Sequence, residues 1–417
     1  MTRAAPAAIG ALALIALAFG PAAAWAQSDI FSRDTISGVA DLRLGVADGE
    51  PSWTAGGFGK TRFGGDGSGA AGRFKAQADL VWKPRFTWDL GAVIDLQAQP
   101  DQTHGIDLGE AYLRYKPVPR GDTRFTARLG LFYPEISLEH SGGAWIPQDT
   151  ITPSAINSWV GEELKVVGLE GRVVHAFAGQ EVSATGAVFY YGDTAGSLLA
   201  FRGWSFSDLK SSANGHFDLP PLSAFMQPMQ PQFTTPVHEI DGRVGWYAQL
   251  GWRRHGLSLD LTRYDNGGDR IGADANNEWA WDTRLWNLSA TWTIDPATTL
   301  RGQVMSGQSF MGYSTPQIWI DDSFAAGYLL LTRTFGADAL SARVDGFQIT
   351  DNSWKLADPN RESGWALTGA WRHGLGEHAD LLVEALHVWS DNDARPRTGF
   401  AAGQSQTVVQ TALRLKF

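Results

Sequence analysis

Nine histidines are spread along the 417 residues: His104, His140, His175, His216, His238, His255, His373, His378 and His387. A zinc site needs ligands at short, fixed spacings such as H-E-x-x-H, and these histidines do not supply them. The segment DNGGDRIGADANNE, 265–278, has carboxylates and carbonyls suited to calcium. It lacks the EF-hand order, and such composition reads as a flexible loop. Ser258 and Ser289 are the serines a hydrolytic triad would draw on, yet no histidine stands at a matching register and no G-x-S-x-G occurs. The chain is therefore not expected to be an enzyme, nor to need a metal or cofactor.

The charged residues follow another logic. In segments that alternate with period 2, one parity carries Arg73, Lys75, Arg114, Arg124, Arg128, Arg172, Arg243, Arg301, Arg343 and Arg372. The acids Asp79, Asp89, Asp95, Glu110, Glu170, Asp260 and Glu384 share that face. The connection 134–163 adds Glu135, Glu139, Asp149, Glu162 and Glu163, together with Ile136, Leu138, Trp145, Ile146 and Trp159. A water-exposed loop has no use for so many apolar side chains, so this one is expected to fold inward. Arg114, Arg124 and Arg128, with Glu110 beside them, would then oppose Glu135, Glu139 and Asp149 across a constriction. Such a transverse field orients polar solutes and rejects apolar ones.

Strands must position these charges. Alternation predicts them at 35–47, 71–82, 86–98, 106–116, 122–133, 164–174, 181–191, 241–252, 255–265, 281–294, 297–309, 322–334, 338–351, 363–374, 378–391 and 406–417. Short and long connections alternate between them. A soluble secreted sandwich has no reason to sort its loops in this way, whereas a transmembrane barrel does. Aromatic residues gather at both strand ends, as at two lipid–water interfaces: Trp82, Phe86, Trp252, Trp292, Trp371 and Phe417 at one, Tyr133, Tyr190, Trp281, Trp365 and Trp389 at the other. The expected fold is an all-β transmembrane antiparallel barrel of about 16 strands, or 18 if the long connection 192–240 hides a hairpin. A barrel of that size is expected to enclose water, not a packed core. The Pro-, Met- and Gln-rich FMQPMQPQF, 225–233, reads as an extended lid.

The first residues fit export. Arg3 precedes the apolar run AIGALALIALAFG, and A-x-A follows at Ala24–Ala26, so 1–26 reads as a signal peptide and 27–417 as a single barrel. There is no cysteine to form a disulfide, and a net charge of −10 argues against a nucleic-acid partner.

LGLFYPEISLEH, PSAINSWVGEELKVVGLE and the preceding DLGEAYLRYKP resemble the phosphate-selective porin O/P-like group of Gram-negative outer-membrane porins, most sharply over 105–172. The resemblance implies a water-filled channel in the outer membrane, often trimeric, for passive diffusion of small hydrophilic or anionic solutes. Lipid and lipopolysaccharide would surround it, and the C-terminal Phe417 resembles the signal read by the barrel-assembly machinery. Phosphate-selective members line the pore with lysines. Here only Lys75, Lys116 and Lys165 lie near the lumen, so phosphate selectivity is not carried over. The competing expectation is a non-conducting barrel acting as a surface receptor through 192–240.

Overall fold

A computed structural model describes residues 30–313, 319–353 and 357–417. The signal peptide read at 1–26 lies outside the described residues.

The chain forms one closed antiparallel barrel of sixteen strands. They are β1 (Ile36–Ala47), β2 (Ala71–Trp82), β3 (Leu90–Ala98), β4 (Asp107–Tyr115), β5 (Thr123–Phe132), β6 (Val166–Phe177), β7 (Gln180–Tyr190), β8 (Gly245–Arg254), β9 (Leu257–Asp265), β10 (Asp282–Asp295), β11 (Thr298–Gly312), β12 (Trp319–Phe335), β13 (Asp338–Asp351), β14 (Glu362–Gly374), β15 (Ala379–Asn392) and β16 (Gly403–Lys416). Each expected strand exists, and each pairs with its neighbour in sequence. The eighteen-strand alternative falls. Within 192–240 the β pairing is a two-residue ladder, Phe217–Asp218 with Phe233–Thr234, and a single bridge from Phe206 to Thr61, both outside the barrel sheet.

Tight hairpins set the register at one end. At Ala178–Gly179 and His255–Gly256 both central residues have positive φ, 47° and 74°, then 46° and 79°. This is the type I′ geometry whose twist matches that of the strands. Closure pairs β1 with β16 from Val39↔Lys416 to Ala47↔Val408. Gly38 and Phe417 then exchange backbone hydrogen bonds at 3.1 and 3.2 Å, so the final residue completes the ladder. A sealed ring leaves no unpaired edge.

The two faces differ as the alternation requires. Leu42, Leu44, Phe74, Leu250, Leu288, Val304, Leu329 and Val409 point outward and are exposed. Trp365 and Trp389 stack at 3.8 Å on the outer wall near the long-loop end. Inward positions alternate with these and are largely buried.

The interior departs from expectation. It holds a packed core rather than open water. Phe189, Tyr247, Tyr264, Leu285, Met305, Phe324, Tyr328 and Phe347 from the walls of β7–β13 enclose Ile156, Trp159, Val160, Trp204 and Phe206 from two inserted loops. Wall aromatics on inward positions and apolar loop residues bury one another, by the same hydrophobic term that builds a soluble core.

Candidate functional site: a loop-filled lumen

Three connections enter the lumen from the long-loop end: 48–70, 134–163 and 192–240. The second carries helix α1 (Ala155–Glu163), capped by Ser154, whose Oγ accepts from the Asn157 amide at 3.3 Å. Every residue of α1 is buried, which is unusual for a nine-residue helix and means that it is packed on all sides. The third carries α2 (Ser197–Arg202) between Gly196 and Gly203, both with positive φ. A side chain at Gly196 would strike Ser309, and one at Gly203 would strike Glu362, so glycine permits this close approach to the wall.

The two helices are joined through acids. Glu163 accepts from the backbone amides of Gly196 at 3.1 Å and Leu198 at 2.8 Å, filling the donor-rich start of α2. Burial pushes the Glu163 carboxyl up to about 7 despite those bonds. Glu162 pairs with Arg202 at 2.8 Å, and the Arg202 guanidinium lies 4.4 Å from the Trp53 ring centroid.

Beyond α2 the chain crosses the lumen as a strap. The Trp204 indole donates to the Gln348 carbonyl at 3.1 Å, and its amide donates to Glu362 at 2.6 Å. Lys60 forms an ion pair with Glu362. The Ser207 amide donates to the Ser158 hydroxyl at 3.0 Å, tying the strap to α1. Asp208 then meets Arg43 at 2.9 Å, Arg62 at 3.1 Å and Gln77 at 2.9 Å. Burial opposes ionisation of Asp208, but the two guanidiniums hold its carboxyl well below the usual range. Lys210 donates to Asp79 at 2.6 Å and to the Ala144 carbonyl at 2.7 Å. Asn214 ends the crossing on Asp107 at 2.9 Å.

The expected constriction residues lie in or beside the lumen but pair differently. Arg128 forms a two-pronged bond to Glu170 on β6 at 2.7 and 2.8 Å. Arg124 pairs with Glu181 on β7. Arg114 is exposed and stands opposite Arg128 in register. Glu135 binds Arg172 at 2.8 Å, Glu139 binds Arg343 at 2.9 Å, and Asp149 pairs with Arg301. Glu110 accepts from the Tyr133 amide at 3.0 Å. No ion pair joins the three arginines to the three loop acids, although Glu135 lies close enough to Arg128 to act on its charge. The loop runs across the barrel, so Glu139 and Asp149 reach the far wall at β13 and β11, while wall acids on β6 and β7 satisfy Arg128 and Arg124.

Near mid-height the lumen is sealed. Arg43, Asp79, Asp95, Glu110, Glu170, Thr185, Gln249 and Thr262 line one half of a belt; Asn287, Gln303, Tyr328, Arg343, Thr368, Glu384 and Gln410 line the other. None is more than 7% exposed, and the Arg128 side chain, on the one remaining strand, is 10% exposed. Among the described residues every strand is covered at this level. Towards the short-turn end the wall opens again. Arg114, Arg124 and Arg253 are exposed there, and a recess of about 640 Å³ is lined by Glu181, Arg253, Ser258 and Thr291 among others.

The segment 265–278 does not stand alone as a loop. Its Asp274 and Glu278 meet His238, with ligand atoms within 4.8 Å of one another, and Asp193, Glu239 and Asp241 form a similar group. Both groups lie at the root of 192–240. Ser258 takes a hydrogen bond from Arg253 and Ser289 one from Asn287, so both serines belong to wall networks.

Sequence reasoning missed Asp208 and Lys210. The signal was present in FRGWSFSDLKSS, where Trp204, Phe206 and Leu209 give a connection the same apolar content that marked 134–163.

Solved outer-membrane proteins share this architecture. The outer membrane channel DcaP of Acinetobacter baumannii superposes with a TM-score of 0.55 at 10% identity, over 93% of this chain and 99% of that one. A loop L8 deletion mutant of OmpT, an outer membrane protein of Vibrio cholerae, gives 0.51 at 8% identity over 92% and 99%. In-vitro folded OmpT of Vibrio cholerae, in its trimer form, gives 0.50 at 8% identity over the same shares. At these identities the likeness is one of fold: a closed barrel of the outer-membrane type. No family model and no curated protein matches the chain.

Proposed function

We propose that the chain is an outer-membrane porin, a channel for small hydrophilic solutes. The observation that carries this reading is the closed ring with an apolar outer face and a charged inner one. In hydrocarbon every backbone polar group must be satisfied internally, and a closed barrel does this. On this reading residues 1–26 direct export, Phe417 ends the strand that assembly recognises, lipopolysaccharide borders the long-loop end, and three copies assemble. The chain has no catalytic role.

The short-turn half of the lumen favours anions. Arg114, Arg124, Arg172, Arg253, Arg301 and Arg372 face it, against Glu135, Asp149, Glu181 and Asp260. The test is conductance of the refolded chain in a planar bilayer, with the reversal potential under a KCl gradient. Ohmic steps with a reversal potential of the sign for chloride are expected whenever the segment that crosses the lumen leaves it. Cation selectivity would remove the arginine argument.

The sealed mid-height belt favours a second reading, a barrel that acts as a surface receptor and does not conduct. A correctly folded chain that stays electrically silent under all conditions would remove the channel reading and leave this one.

A further inference from the structure

The strap spans two walls of opposite character: Trp204 and Phe206 share the apolar core of α1, and the stretch that follows does not. Trp159, Val160 and Phe206 pack on the apolar wall of β7–β13. Asp208 and Lys210 lie instead on a polar wall built from β1, β2 and the 48–70 insertion. Withdrawing α1 would expose an apolar core to water. Withdrawing only residues 208–214 would expose chiefly guanidinium, amide and carboxylate groups that water solvates readily, with Leu209 the one large apolar side chain among them.

That polar wall is organised as two half-sites. One grips a carboxylate: two guanidiniums and the Gln77 amide converge on Asp208, at 2.9, 3.1 and 2.9 Å. Arginine pairs suit this task because their planar, permanently charged donors match a carboxylate. The other grips an ammonium: Asp79 and the Ala144 carbonyl take the Lys210 Nζ. Each half-site keeps a spare polar group. Nη2 of Arg62 and Oδ1 of Asp95 are buried without a hydrogen-bond partner. A donor is thus left over at the carboxylate end and an acceptor at the ammonium end, although buried polar groups are normally paired. Gln77 and Asp79 sit two residues apart on one face of β2, which separates the half-sites by ~7 Å.

We propose, resting on the channel reading, that this wall is a binding site for zwitterionic solutes carrying a carboxylate and an ammonium about one short peptide's length apart, and that Asp208 and Lys210 occupy it as a built-in surrogate. A solute that takes both half-sites competes with the strap and frees the path along β1–β4. A monovalent acid or amine replaces only one tether and leaves the other closed.

The probe is 6-aminohexanoate, which spans both half-sites, added to the refolded full chain in a planar bilayer. Acetate with butylamine, at equal concentrations, supplies the same groups unlinked. Aminohexanoate is expected to raise open-channel current at least about tenfold over the unlinked pair, the ratio that ~1.4 kcal/mol of linkage would give. The double variant Asp208→Asn/Lys210→Met is expected to conduct without any solute. If that variant conducts but the wild type ignores aminohexanoate, the zwitterion site is overturned and the channel stands. If the variant migrates as a folded barrel and neither form conducts, the channel reading falls and the site falls with it. Should the variant fail to fold, tryptophan fluorescence of the wild type decides. A saturable response to aminohexanoate and not to the unlinked pair supports the site; equal responses overturn it.

Discussion

Arg343 shows how one side chain can hold a loop inside a barrel. Its Nε donates to Asp345 at 2.8 Å, one terminal nitrogen reaches Glu139 and the Thr152 carbonyl, and the other reaches the Pro153 carbonyl and Thr368. All five N–H donors are engaged. Replacing both partners of such a network by apolar groups can be neutral, but removing one leaves uncompensated buried charge. Arg343→Met strands Glu139 and Asp345 and is expected to cost about 3–5 kcal/mol. Urea unfolding followed by tryptophan fluorescence measures this. A loss well under about 1 kcal/mol, the range of exposed pairs, would mean that water reaches the site. Arg343 and Glu139 are separately legible as a lumen base and a loop acid. Their pairing is not, because they are 204 residues apart and nothing local brings them together.

The elements divide by how local their causes are. Strands follow from alternation over a dozen residues, and the hairpins follow from short turns bearing glycine or proline, so all sixteen can be read from the chain. The inserted connections obey long-range packing. The inward fold of 134–163 can be anticipated from its apolar content, whereas 192–240, which has the same content, reads in sequence as a long external connection with an extended lid at 225–233. His140 lies in the first of these loops. Its ring stacks on Trp145 at 3.9 Å and bonds the Ser137 hydroxyl at 2.9 Å. Burial, helped by the nearby Lys210 ammonium, lowers its pKa from 6.5 to about 3. The neutral ring therefore stabilises the packed loop above pH 6.5, and that contribution is lost progressively as the pH falls from 6.5 towards about 3. Limited proteolysis after Glu139–Trp145 is expected to be slow at neutral pH and to accelerate below about pH 6. His140→Phe, which keeps the stacked ring and cannot take a proton, should flatten that profile. A profile unchanged in the variant would place the sensitivity elsewhere.

At the scale of the molecule, a barrel wide enough for an aqueous channel has been filled with protein, and on the proposed reading the state of the strap decides whether it conducts. The chain contains no cysteine, so a single engineered pair reports cleanly. Ser158 on α1 and Ser207 on the strap already touch, with 3.0 Å between the Ser207 nitrogen and the Ser158 oxygen. In S158C/S207C the oxidised bond fixes the strap to a helix whose own packing against the apolar wall resists movement. The carboxylate half of the seal then depends on one covalent link, because Asp208 follows directly after it and is held beside Arg43 and Arg62. Oxidised channels are expected to stay closed with aminohexanoate present, and a reductant should restore the solute-dependent current in the same bilayer. Current through the oxidised protein equal to that of the reduced protein would mean that solutes pass with the strap in place. The sealed belt would then open by motion of the walls or of α1, and the division between a fixed apolar side and a movable polar side would have to be given up.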